Sequence, residues 1–128
     1  MWTRDKGQAR LSPSEKAAIG AACQSFIDTV LKPRFLPTIT PTQFNYPIDI
    51  GWKWHGAKYR FVQRYRSGFD DNQGEEFDAP FVRLDWLGPN RFDVQWHRHT
   101  GQWWRLYQDL TLKDALDAII TDGHLHPL

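Results

Sequence analysis

The sequence predicts an α+β fold: a two-layer sandwich in which a five-stranded antiparallel sheet carries an N-terminal and a C-terminal helix on one face. Three observations predict it. Segments near the two ends place apolar residues at spacings of three and four behind a capping residue, the segments between them alternate apolar with polar residues, and short turn-forming strings separate those alternating runs. A chain of 128 residues, 41% hydrophobic and 15% aromatic, holds enough material for one core. The expected organisation is a flexible arm (1–11), a single α+β domain (12–123) and a frayed tail (124–128).

Ser12 is a good N-cap, Pro13 suits the first helical position, and Glu15 stands where a capping box needs it. Ile19, Ala22, Cys23, Phe26, Ile27, Val30 and Leu31 form the stripe that follows, and Pro33 is expected to end the helix. From Arg34 to Pro47, the prolines Pro37, Pro41 and Pro47 predict an extended connection.

Ile48, Ile50, Trp52 and Trp54 then alternate with Asp49, Gly51, Lys53 and His55, the period of a half-buried strand. A two-residue turn at Gly56-Ala57 would return the chain along Lys58 to Arg66, pairing Trp54 with Tyr59, Trp52 with Phe61, Ile50 with Gln63, Asp49 with Arg64, Lys53 with Arg60 and His55 with Lys58. Ser67 to Asp78 is acidic and turn-rich, and reads as a long loop of lid or binding type. A third strand, Ala79 to Leu87, sends Val82, Leu84 and Trp86 to one face and Phe81, Arg83 and Asp85 to the other. The loop Gly88-Pro89-Asn90 sets Trp86 opposite Phe92, Leu84 opposite Val94 and Val82 opposite Trp96.

Arg91 to Tyr107 reads as a hairpin around His99-Thr100-Gly101, with Gly101 at the position that needs a positive φ. That register pairs His97 with Trp103, Trp96 with Trp104, Gln95 with Arg105, Val94 with Leu106 and Asp93 with Tyr107. Trp96 and Trp104 then belong to the core. Thr111 caps a second helix whose stripe is Leu112, Ala115, Leu116, Ile119 and Ile120, and Gly123 stops it.

With one sheet face covered by helices, the other needs an occupant or water. By these registers it carries Arg60, Arg64, Arg83, Asp85, Asp93, His97, Trp103, Arg105 and Tyr107, the candidate ligand-binding residues, together with Lys53, Gln95, Val62 and Phe81. Lys53 opposite Arg60 and Asp85 opposite Asp93 set like charges side by side, which is mildly destabilising unless solvent, a diagonal partner or a ligand relieves it. A solvated antiparallel face rich in Arg shows the same pattern.

A net charge of +1 excludes a generally basic nucleic-acid binder, yet between Trp52 and Gln108 nine Lys or Arg stand against seven acids, five of them in the 67–78 loop. The expected function is therefore a non-enzymatic binding or interaction module using this face, for an anionic ligand, single-stranded nucleic acid or a protein partner, a homodimer mate included. The alternative is a hydrolase-like or metal-dependent enzyme centred on Asp85, Asp93, His97 and Arg105. No nucleophile motif, glycine-rich phosphate loop or metalloprotease signature supports it. His97-Arg98-His99 at a strand end can point both imidazoles the same way, with His55 or His124-Leu125-His126 as further ligands, but no Cys or Glu stands at a ligand spacing beside them, and no catalytic residue, metal or cofactor is expected. Cys23 has no disulfide mate, and the chain contains neither a leader-like run nor an 18-residue apolar stretch, so a cytoplasmic setting without membrane contact is expected.

In the strings YRFVQRYRSGF, GEEFDAPFVRLDW and FDVQWHRHTGQWW the sequence resembles a family of small bacterial proteins classed as a domain of unknown function, from about Arg34 onward. The resemblance implies a bacterial cytoplasmic protein; it implies no activity and assigns no catalytic residue.

Overall fold

The computed structural model describes residues 10–127, and most of the N-terminal arm, Trp2 included, lies outside them. Ser12 caps helix α1 (Pro13–Phe26): its Oγ accepts from the Glu15 N–H at 3.1 Å, satisfying a donor that the first turn leaves free. The capping box is only half formed. The Glu15 carboxylate accepts instead from the indole Nε1 of Trp86, 3.2 Å away, and so ties the start of the helix to the sheet. Nor does Pro33 end the helix. The chain widens into a π-helical turn (Ile27–Leu31), in which the Lys32 N–H donates to the Ile27 carbonyl, and continues as helix α2 (Lys32–Phe35). That shift places Pro33 in the first turn of α2, where its ring and missing N–H are tolerated.

Five antiparallel strands follow: β1 (Asn45–His55), β2 (Lys58–Ser67), β3 (Glu76–Gly88), β4 (Arg91–His97) and β5 (Trp103–Leu110), adjacent in chain order. With helix α3 (Leu112–Thr121) they form the predicted α+β arrangement. The β1–β2 register agrees with the prediction from Asp49↔Arg64 to His55↔Lys58, and Gly56 takes φ +60 in the turn. The β3–β4 register agrees too, with Asn90 at φ +54.

β5 departs from expectation. Its first three pairs are as predicted, but Val94 faces Tyr107 rather than Leu106, and Phe92 faces Leu110. Extra residues in β5 bulge out of the ladder, and Asp109 takes φ +55. Its N–H donates to Asp93 Oδ1 at 3.0 Å, which satisfies a carboxylate that is nearly buried. The bulge turns Tyr107 to the helix side, where its hydroxyl donates to Asp122 Oδ2 at 2.8 Å. Trp104 is half exposed rather than core, at the start of the edge strand β5, and the Arg98 guanidinium lies over its ring at 5.0 Å.

The acidic loop is shorter than expected. Glu76 and Asp78 belong to β3 and face Arg66 and Arg64, so residues 68–75 alone connect the strands. Those residues are tied down: Ser67 donates its N–H to the Glu75 carbonyl and its hydroxyl to Asn72 Oδ1, and Gly68 donates to the Phe44 carbonyl. A Cβ at Gly68 would collide with the Thr42 and Phe44 carbonyl oxygens, so this position needs glycine to let two backbones meet. A lid is not what this segment forms.

Ile19, Cys23, Phe26, Ile27 and Leu31 from the N-terminal helices, Ile50, Tyr59, Phe61, Val82, Leu84, Phe92 and Val94 from the sheet, and Ala115 and Ile119 from α3 make one core. Two further residues join it against expectation. Phe81 is the extra residue of a bulge between Phe61↔Val82 and Val62↔Pro80, so it leaves the outer face and packs against Phe61, 6.2 Å between ring centroids. Leu125 is fully buried, and the tail around it is packed rather than frayed: His126 Nε2 contacts the Ile120 carbonyl at 2.8 Å and its ring lies 4.5 Å from Phe35.

Candidate functional site

α1 and α3 contribute to a single core on one side of the sheet, and on the opposite side Lys32 of α2 reaches the outer face at its β1 end, where its Nζ lies 3.1 Å from Asp49. Strand register determines which of the outer side chains stand together. Lys53↔Arg60, Arg60↔Arg83, Arg83↔Gln95 and Gln95↔Arg105 are successive cross-strand partners, so these five side chains form one row across all five strands. At the usual spacing of ~4.8 Å between strands the row is about 19 Å long. Four of its five members are cations, a concentration that the net charge of +1 conceals.

Most of these cations have acidic partners. Lys53 Nζ lies 3.1 Å from Asp78, which also accepts from Arg64 Nε at 2.9 Å. Arg83 grips Asp85 in a two-point contact at 2.7 and 3.0 Å, and Gln95 donates to the same carboxylate at 3.3 Å. Arg105 lies 3.5 Å from Asp93. Arg60, in the row between Lys53 and Arg83, is the exception: among the described residues it has no carboxylate at ion-pair distance, and its Nε is buried without a hydrogen-bond acceptor. Its guanidinium instead lies over the Trp103 ring at 5.7 Å, and the Arg83 guanidinium lies over the same ring at 4.9 Å. His97 meets Trp103 edge-on, 4.7 Å between centroids.

Two side chains feel this field. Burial pulls the His97 imidazole below its usual value, and the Arg60 charge pushes it further in the same direction. The hydrogen bond from Arg64 holds the Asp78 carboxyl below the usual carboxylate value against the effect of burial, with Lys53 assisting.

Of the residues that sequence reasoning singled out, Arg60, Arg83, His97, Trp103 and Arg105 come together. Arg64 lies farther along β2, beside Asp78. Asp85 and Asp93 are opposite each other in register, yet each is engaged by its own donors, Arg83 and Gln95 for one and Arg105 and the Asp109 N–H for the other. Tyr107 is on the far side. The sequence reading placed Lys53 and Gln95 on this face without counting them among the candidate ligand-binding residues, and placed Asp78 in the loop; extending the Arg64 alternation across to β3 is the signal that finds Asp78. Among the described residues no three His, Cys, Asp or Glu side chains are grouped as a metal ion needs, and no helix is long and apolar enough to cross a membrane.

Residues 11–126 match DUF3024, a domain of unknown function. The chain belongs to this family. No curated protein and no solved structure matches it. The DUF3024 match takes in both ends of the cationic row, every strand and all three α-helices, so the outer face belongs to the family domain and is not an addition to it.

Proposed function

We propose that this DUF3024 protein is a non-enzymatic binding module whose outer sheet face takes single-stranded nucleic acid. One observation carries the reading: the row Lys53-Arg60-Arg83-Gln95-Arg105, with Arg60 at its interior paired with no acid among the described residues and its guanidinium over Trp103. Two like charges held side by side are a standing cost, and phosphate bound against them would relieve it. The length of the row suits about three nucleotides, the number that sheet-face RNA binders stack, and Arg planes beside an indole offer the stacking surface. Gln95, a neutral donor and acceptor within the row, would meet a base edge. The reading places the protein in the bacterial cytoplasm, and the free thiol of Cys23 accords with a reducing compartment.

Fluorescence anisotropy with labelled oligo-dT and oligo-rU of about 12 nucleotides tests it. Three or four phosphate contacts on a single strand give a log-log salt slope of about −2 to −3. Arg60→Gln should weaken binding about tenfold, since it removes a charge-assisted contact. Absence of binding at about 20 mM salt, where such contacts are strongest, overturns the proposal. Sedimentation in the same buffer examines a competing occupant: a dimer that dissociates on Arg60→Gln would assign the face to a second copy.

A further inference from the structure

The bulge at Pro80-Phe81 opens a second site, on the helix side of the sheet, which shares His97 with the outer face but none of the five residues of the cationic row. Beyond it the helices no longer cover the sheet, and the C-terminal turn at Gly123–Leu125 closes over in their place, leaving a cleft of about 430 Å³ that no residue of α1 or α3 lines. That volume falls in the range of small-molecule pockets. Its apolar wall is Tyr65, Pro80, Phe81 and Trp96. Its fixed charge is Arg98, held between Trp96 and Trp104 at 5.6 and 5.0 Å, with Nε buried and lacking a hydrogen-bond acceptor among the described residues. Among the described residues neither Asp nor Glu lines the cleft, and the other polar side chains are Gln63, which accepts from the Tyr65 hydroxyl at 3.1 Å, and the imidazoles of His97, His99, His124 and His126.

The walls are held in place. His124 is fixed by Asp122 at 2.9 Å and by the Trp96 ring at 4.7 Å between centroids, and His126 by the Ile120 carbonyl and Phe35. A preformed apolar slot with one permanent cation and no acid selects an anion carrying a flat apolar body. A single guanidinium matches a monoanion, and its planar fork matches a carboxylate. We propose that this cleft binds a small aromatic monocarboxylate, its ring against Phe81 and Trp96 and its carboxylate on Arg98.

Titrating 15N-labelled protein with 2-naphthoate, and in parallel with neutral 2-naphthylmethanol, tests this. The expected result is saturable shifts of the Trp96 indole, Gln63 and Phe81 signals with naphthoate, and binding at least about tenfold weaker for the alcohol. Arg98→Met keeps an apolar stem between the two Trp rings while removing the charge; it should reduce naphthoate binding to the level of the alcohol, and Arg98→Lys should recover part of it. Lys53→Gln, at the β1 end of the outer row and away from the cleft, should weaken oligonucleotide binding and leave naphthoate binding unchanged, so failure of this proposal and failure of the nucleic-acid reading are distinguishable. Equal binding of acid and alcohol, shifts elsewhere than at the cleft, or undiminished naphthoate binding by folded Arg98→Met would each overturn it.

Discussion

Arg60 and Arg83 are cross-strand neighbours of like charge, and both guanidinium groups lie over the one ring of Trp103. The indole is what allows two cations to remain side by side, since its quadrupole attracts each of them while they repel one another. Trp103→Leu should therefore destabilise the fold by about 1–2 kcal/mol, measured by urea unfolding, beyond what Leu recovers in apolar contact. The loss should shrink in Arg60→Gln protein, where less repulsion remains to be offset. Additive losses in that double-mutant cycle would show that the stack has no such role.

Asp78 accepts from Arg64 and lies within ion-pair distance of Lys53, so its carboxyl sits below the usual 3.8. A group depressed in this way contributes stability above its unfolded value, and that contribution is lost as pH falls through the folded value. Asp78→Asn should cost about 1–2 kcal/mol at neutral pH, discounted for the exposure of both cations, and progressively less on acidification below about pH 4. Urea melts of both proteins between neutral pH and strong acid read the difference directly. A gap that stays constant over that range would mean that the ion pairs contribute nothing.

The parts of this fold legible in the sequence are those set by alternation and capping. The β1–β2 and β3–β4 registers follow from which residues must be buried, and Ser12 and Thr111 each accept the backbone N–H that an N-cap should. What escaped was every place where a strand gains a residue. Pro47 and Pro80 both sit at register shifts, so the prolines inside otherwise strand-like runs were the available signal. The β5 bulges leave no such mark, and with them went the assignments of Tyr107 and Asp93. The candidate face was legible as a set of residues. Its organisation into a single row was not, because the register of β2 on β3 across the 68–75 loop was not read from the sequence, and Arg60↔Arg83 is the pairing that joins the two halves of the row. The cleft was hidden because it needs the Phe81 bulge and a tail whose few residues carry no periodicity.

His97 titrates in the opposite sense to a paired histidine. Burial first and the Arg60 charge second hold its folded value below the usual 6.5, so above that pH the group is neutral in both states and contributes nothing. As pH falls below it, the unfolded chain takes up a proton before the folded one does, and stability declines. His97→Gln should remove this decline, visible as a flatter stability profile between about pH 7 and pH 5. Bound oligonucleotide should raise the His97 value in a 1H–15N NMR titration, and binding should tighten correspondingly on mild acidification. A His97 value that stays unchanged on saturation would place the phosphates away from Trp103.

Cys23 is fully buried in the core, and burial pushes its thiol up to about 12. Only the thiolate attacks a disulfide reagent, so native protein should react with Ellman's reagent no faster than it unfolds. In concentrated urea the same thiol should react at once, and adding a stabilising salt should slow the native reaction in step with the gain in stability. Rapid labelling of the native state would show that α1 opens locally from the sheet.

Leu125 gives the tail its hold on the molecule. Its side chain is fully buried, while Asp122 accepts from the His124 N–H at 3.0 Å and closes the turn that carries Leu125 inward. Leu125→Ala leaves a cavity between that turn and the core, and should cost about 2–4 kcal/mol by urea unfolding. Asp122→Asn isolates the turn from the packing: it keeps the side-chain volume but removes the charge that both Tyr107 and His124 use, and should cost about 1 kcal/mol. If the tail were frayed, as its length and composition suggest, neither substitution would move the midpoint. The two also differ in what they do to the cleft. Leu125→Ala should loosen the wall that His124 and His126 provide and broaden their ring signals in NMR, whereas Asp122→Asn should affect His124 and leave His126 on the Ile120 carbonyl.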